Sequence, residues 1–138
     1  MLPVELLSRP NWIRRTSSKV PMTANGMPAS STDRSTWSTY DAAVASTVGV
    51  GLGFVLDGTG IGCYDLDHVA ADGVLERSAA ALIESTPHFY AEWSPSGDGV
   101  HLWVYAEAEK GWRRRIDGIS VEFYTQHRYL TITGKPLR

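Results

Sequence analysis

Three short stretches alternate their residues with a period of two, and extended backbone turns such a pattern into two distinct faces. In Ile61–Asp67 (IGCYDLD), Tyr64 and Leu66 point one way while Asp65 and Asp67 point the other. In Val100–Tyr105 (VHLWVY), the apolar Val100, Leu102 and Val104 oppose His101, Trp103 and Tyr105. In Ile119–Tyr124 (ISVEFY), Ile119, Val121 and Phe123 oppose Ser120, Glu122 and Tyr124. Placed in one sheet with helices over the apolar face, these strands collect Asp65, Asp67, His101 and Glu122 on the other face. Burying one unpaired carboxylate is costly and neighbouring carboxylates repel, so that face calls for positive charge between them.

The remaining chain alternates helix and strand signals, which places it in the mixed α/β class. Residues 1–36 are rich in Ser, Thr, Pro and Asn and read as an irregular lead-in, with residues 11–15 as its one short strand. Ser38-Thr-Tyr-Asp41 is a capping box with Asp in place of Glu, opening a helix to about Thr47. A strand is expected at 50–56, closed by the turn Asp57-Gly-Thr-Gly60, and a helix at 75–85 after the turn Asp72-Gly73. Further strands are expected at 89–93 and 128–133. A chain of 138 residues holds one domain with a real core, so residues 1–138 are taken as a single domain whose core runs over 37–138.

Composition narrows the function classes. Hydrophobic residues make up 43% and charged residues 20%, as in a globular protein, and no apolar run approaches the ~20 residues of a membrane span. The start, MLPVELLSRP, lacks the basic head of a secretory leader, and the single Cys63 excludes an internal disulfide or a cysteine-based zinc site. A reducing cytoplasm is the expected compartment. The net charge of −2 hides a division: between Asp33 and Asp98 ten acids face only Arg34 and Arg77, whereas from Ala106 onward seven basic residues face four acids. Such a layout suits a middle that holds cations and ends that hold phosphates, and equally a solvated basic loop.

Three carboxylates, Asp65, Asp67 and Glu122, suit one or two divalent cations with oxygen ligands, magnesium or manganese. An isolated Asp-x-Asp also arises where a strand end faces water; the convergence with His101 and Glu122 on one face favours a site. Gly97 and Gly99, in Ser94-Pro-Ser-Gly-Asp-Gly-Val-His101, permit a tight turn whose amides could cradle phosphate oxygens, though a plain β-turn explains them as well. The run Lys110-Gly-Trp112-Arg113-Arg114-Arg115 reads as a loop between the His101 and Glu122 strands. Its arginines would grip template phosphates and Trp112 would stack on a base, or the loop is simply solvated.

The pieces together resemble the catalytic domain of the archaeo-eukaryotic primase superfamily, in its phage- and plasmid-encoded primase-polymerase branch. The matching motifs are Asp65-Leu-Asp67, Gly99-Val-His101 and Val121-Glu122. Their flanks match as well: Thr36-Trp37, Gly53-Phe-Val-Leu56, the turn before His101, and Val121-Glu-Phe-Tyr124 through Arg128-Tyr-Leu-Thr-Ile-Thr-Gly134. The resemblance covers about residues 36 to 134. It implies an α+β fold built on an RRM-like palm sheet with helices on one face and an N-terminal α/β segment beside it. It also implies that Asp65, Asp67 and Glu122 bind two catalytic Mg²⁺ or Mn²⁺ ions, with His101 and Arg128 on the phosphates of a nucleoside triphosphate. Lys19 is either the counterpart of a lysine found before Pro in related chains or a solvated side chain. Glu122 stands where many relatives have Asp, and Gly99 where a Ser would offer a hydroxyl.

The expected function is therefore that of a template-directed nucleotidyltransferase, a DNA primase or polymerase of phage or plasmid replication. Its partners would be nucleoside triphosphates, single-stranded or primed DNA and a replicative helicase, with no membrane, in the cytoplasm of a host cell. Two alternatives stay open. One is a single-stranded nucleic-acid-binding module with little catalysis, using the basic run with Trp103 and Tyr124 as open-face stacking aromatics. The other is a metal-dependent nuclease using the same carboxylates.

Overall fold

The computed structural model describes residues 1–137 as an α+β fold of two stacked antiparallel sheets with few helices. Helices α1 (Val4–Leu7), α2 (Tyr40–Ala45) and α3 (Arg77–Ser85) are short. Strands β1 (Trp12–Arg15), β2 (Pro21–Met22), β3 (Gly51–Asp57) and β11 (Gln126–Ile132) form one sheet in the order β11-β3-β1-β2. Strands β4 (Ile61–Asp67), β7 (Tyr90–Trp93), β8 (Val100–Tyr105), β9 (Trp112–Ile116) and β10 (Ile119–Tyr124) form the second, in the order β7-β8-β4-β10-β9. A small hairpin, β5 (Ala70–Ala71) and β6 (Val74–Leu75), turns through Asp72 and Gly73, both at positive φ as a two-residue hairpin turn requires.

In the five-stranded sheet the alternation does what the sequence leads one to expect. Leu66, Val100, Leu102, Ile119 and Val121 bury one face against Ala79 and Ile83 of α3, which lie one helical turn apart. A single helix covers that face among the described residues, where several were expected. The opposite face is not open along its length, because the four-stranded sheet stacks over part of it. Cys63, Trp103 and Tyr90 there join Phe54, Leu56, Leu130, Ile132 and Trp12 in an inter-sheet core. Trp103 meets Phe54 edge to face with ring centroids 5.6 Å apart, and Phe54 meets Trp12 at 5.3 Å.

The lead-in is more ordered than its composition indicates. Trp12 and Ile13 of β1 are buried, and β1 pairs along β3 as an interior strand of its sheet. Leu6 of α1 enters the same core and its carbonyl accepts the Trp12 indole N–H at 3.0 Å. Helix α2 is capped one residue later than the sequence indicates: Thr39, not Ser38, accepts from the Ala42 amide. Of residues 110–115, only Lys110 and Gly111 are loop. Trp112–Ile116 is an edge strand joined to β10 by the two-residue turn Asp117-Gly118, both at positive φ.

Gly53 shows how closely the four-stranded sheet is fitted. A Cβ there would lie 2.6 Å from the Tyr129 ring and 3.1 Å from Ile13, so the ring of the neighbouring strand packs directly on the glycine. Gly53→Ala is expected to destabilise the fold by about 1–3 kcal/mol, the range for an overpacked interior, measured as a shift in the urea midpoint. In a Tyr129→Ala background the same substitution should cost far less, because the clashing ring is gone.

Candidate active site

Register places the expected residues in one row across the sheet. Arg113 of β9 lies opposite Glu122 of β10, Glu122 opposite Asp65 of β4, Asp65 opposite His101 of β8, and His101 opposite Glu92 of β7. Asp67, two residues beyond Asp65, shares the face and lies opposite Ser120, which in turn lies opposite Arg115. The row containing Cys63 and Trp103 is covered by the second sheet, and one pleat repeat further along the strands the acids emerge at the seam between the sheets.

Two carboxylates directly opposite on antiparallel strands destabilise the pair. At Asp65 burial is the main force pushing the carboxyl up, and the charges of Asp67 and Glu122 add to it, against the attraction of His101 and Lys19. Glu122 goes in the other direction. Burial works against its charge, but hydrogen bonds from Arg113 at 2.8 Å and the Tyr124 hydroxyl at 2.7 Å hold it below the usual glutamate range. Both bonds fall on the same carboxylate oxygen, Oε1. The three acids therefore share a face without converging: among the described residues no three His, Cys, Asp or Glu side chains close around one point. The donor set of carboxylate oxygens, with unrelieved repulsion at Asp65, nonetheless fits hard divalent cations.

Basic side chains reach the acids from the second sheet. A register shift between Gln126 and Arg128 puts His127 at positive φ, and this bulge lays the Arg128 guanidinium over the Tyr124 ring, 4.0 Å from its centroid. Arg128 and His127 line two cavities. One, of about 560 Å³, is also lined by Lys110, Trp112, Arg113, Glu122 and Tyr124. The other, of about 340 Å³, is also lined by Lys19, Ser31, Asp65, His101 and Tyr129. Lys19 is thus a wall of the cleft, held there by the Tyr129 hydroxyl, which donates to the Lys19 carbonyl.

Several expectations need correction. Arg113, Arg114 and Arg115 do not act as one patch, because a strand sends alternate side chains to opposite faces. Arg113 and Arg115 lie on the acid face, whereas Arg114 stacks on Trp112 at 4.3 Å on the side of α3. Trp103 is fully buried and offers no open stacking platform, and Tyr124 lies beneath Arg128. The amides of the Ser94–Gly99 turn are engaged within the turn: Gly97 N–H donates to the Ser94 carbonyl, and Gly99 N–H to the Ser94 hydroxyl. Gly99 instead permits close packing, since a Cβ there would fall 2.9 Å from the Leu66 carbonyl oxygen. Asp98 ties this turn to the end of β4, accepting from His68 Nδ1 at 2.9 Å, and that bond pushes the His68 ring up.

Sequence reasoning passed over the Arg113–Glu122 pair and Glu92. The Asp117-Gly118 dipeptide after an unalternating arginine run was the available signal for the first, being a strong hairpin marker. For the second, it was Glu92 lying two residues from Tyr90 on a strand next to His101.

No family model matches the chain. Over 134 residues it is 36% identical to the DNA primase-polymerase of Nitratiruptor phage NrS-1, an alignment taking in 90% of this chain. The chain spans 18% of that relative's length. It is thus related in sequence to a primase-polymerase. Among the described residues no helix is long and apolar enough to cross a membrane.

The raised Asp65 carboxyl carries a stability prediction. The folded state binds this proton more tightly than the unfolded chain, so stability falls as pH rises from the unfolded value of about 3.9 through the folded one. Asp65→Asn should therefore stabilise the metal-free protein at neutral pH, and the gain should vanish as pH drops below ~4. Chelator-treated protein unfolded in urea at pH 7 and pH 3.5 measures both limbs.

Proposed function

We propose that this chain is the nucleotidyl-transfer unit of a template-directed DNA primase-polymerase, acting in phage or plasmid DNA replication. The observation that supports this best is the direct opposition of Asp65 and Glu122, with Asp67 on the same face, at a seam walled by Lys19 and Arg128. The sequence relationship to a primase-polymerase points the same way.

Asp65, Asp67 and Glu122 would hold the divalent cations, Mg²⁺ or Mn²⁺. Bound there, two such ions would supply Lewis-acid activation of a 3′-hydroxyl and neutralisation of the charge on the leaving pyrophosphate. The chain's own groups do the rest. His101 and Lys19 present donors in the smaller cavity beside Asp65, where the triphosphate of an incoming nucleotide would lie. Arg128, fixed on Tyr124, spans the border between the two cavities and would hold phosphate oxygens by a planar fork. The larger cavity, with Lys110, Trp112 and Arg113, would take template or primer.

Incubation with primed DNA, Mn²⁺ and labelled nucleotides separates the readings: lengthening supports a polymerase, shortening a nuclease, and neither a binding module. Asp65→Asn should abolish lengthening while the protein stays folded. His101→Ala or Arg128→Ala should weaken nucleotide binding by about 1.5–3 kcal/mol, the range for a hydrogen bond to a charged partner. Template binding should divide the arginines by face. Each phosphate contact to a single strand contributes about 0.7 to the slope of log affinity against log salt, so Arg113→Ala and Arg115→Ala should each flatten it by that amount. Arg114→Ala should leave the slope unchanged. Equal effects from all three would remove the template from the acid face.

A further inference from the structure

Glu92 of β7 is fully removed from solvent, at 0% exposure, and the proposed chemistry makes no use of it. Its Oε1 accepts from the Tyr90 hydroxyl and the Gly134 amide, each at 3.1 Å, and its Oε2 from the Thr133 amide at 3.0 Å. Oε2 also lies 3.5 Å from His101 Nδ1. That nitrogen is buried and has no other partner, while Nε2 of the same ring faces Asp65 at 3.6 Å. The imidazole is thus held between two carboxylates, one fully buried and one at the cleft. A carboxylate this deep persists only where donors surround it, and here the neutral donors leave Oε2 one direction free, toward the ring. The distance is long for a hydrogen bond, as catalytic contacts often are before ligand is bound.

We propose that Glu92 is a positioning residue that accepts a hydrogen bond from His101 Nδ1–H and so keeps Nε2 directed into the cleft. A histidine tied at one nitrogen to a carboxylate has its ring orientation defined, and Nε2 can donate to a phosphate oxygen only while it carries a proton of its own. The ring that meets the nucleotide is therefore the imidazolium, with Nδ1–H on Glu92 and Nε2–H toward the cleft. The Thr133 and Gly134 amides in turn anchor Glu92, so the segment following β11 determines how the His101 ring is presented beside Asp65. The ligand assigned to Nε2, a nucleotide phosphate, rests on the function proposed above; the Glu92–His101 bond does not. The competing explanation is that Glu92 only ties β7 to residues 133 and 134.

Long-range ¹H–¹⁵N spectra of the labelled chain at neutral pH, with the His101 ring assigned by its absence in His101→Ala, test the bond directly. Nδ1 should resonate as a proton-bearing nitrogen. Binding of dATP with Mn²⁺ should weaken about tenfold in Glu92→Gln, the difference between a charged and a neutral hydrogen bond, while oligo-dT binding changes little. In a His101→Ala background, Glu92→Gln should have no further effect on dATP affinity, since the group it positions is gone. A wild-type Nδ1 without its proton overturns the proposal, whether or not any variant folds. So does a Glu92→Gln penalty that persists in full without His101. Failure of the wild type to bind dATP would remove the proposed function, and the nitrogen spectrum would still decide the role of Glu92.

Discussion

A carboxylate facing a carboxylate across paired strands is an arrangement that a sheet tolerates only under constraint, and Asp65 opposite Glu122 is that arrangement. Left to itself the pair would part or the strands would slip, but a one-residue slip would turn Leu66 and Val121 out of the α3 core and the acids into it. Register is therefore held by apolar burial on both sides of the strand: the helix-packed face on one side, and on the other the row of Cys63 and Trp103 locked under Phe54. Hydrophobic stacking one pleat away fixes an electrostatic tension at the seam. Arg113 relieves Glu122, His101 and Lys19 partly offset the repulsion at Asp65, and the Asp65 carboxyl remains raised chiefly by its own burial.

How much of this could be read from the sequence follows from what periodicity reports. β4, β8 and β10 occupy the residues expected of them, because each has one apolar and one polar face and the alternation is unambiguous. β9 packs Trp112 and Ile116 on the α3 side, but Arg114 stands between them and Arg113 and Arg115 take the other face, so the strand's apolar stripe is interrupted and easily missed. β3 is apolar on both faces because Phe54 and Leu56 lie under the other sheet while Gly53 and Val55 are covered on the opposite face; its sequence marks a strand but not a stacking partner. The face carrying the acids was legible. That half of it is roofed was not, since the roof comes from residues 12, 54, 56, 130 and 132, distant in the chain.

The same limitation explains which residues of the cleft could be placed together. Asp65, Asp67, His101 and Glu122 were identifiable because one local rule places them on one face. Arg128 and Lys19 reach that site only through the second sheet, where a bulge re-aims one and a loop at positive φ carries the other. A lone lysine in Ser18-Lys-Val-Pro21 has no local feature that distinguishes it from a solvated one.

The division of labour between the sheets bears on how such a site meets a charged ligand. The five-stranded sheet contributes the acids on interior strands whose positions are set by pairing on both sides. The four-stranded sheet contributes its cations from an edge strand, β11, and from the loop that its Tyr129 holds. Acids that repel one another have to be held rigidly, since any freedom would be spent increasing their separation. Cations that close on a polyanion gain from slight adjustability, and an edge strand with a bulge has it. Arg113 combines both conditions: its backbone is an edge strand, its side chain is largely exposed, and its partner is the Glu122 carboxylate on an interior strand. Both hydrogen bonds that Glu122 accepts fall on Oε1, so its second oxygen stays free with Arg113 in place, and the guanidinium remains beside the larger cavity on an edge strand that can adjust around it.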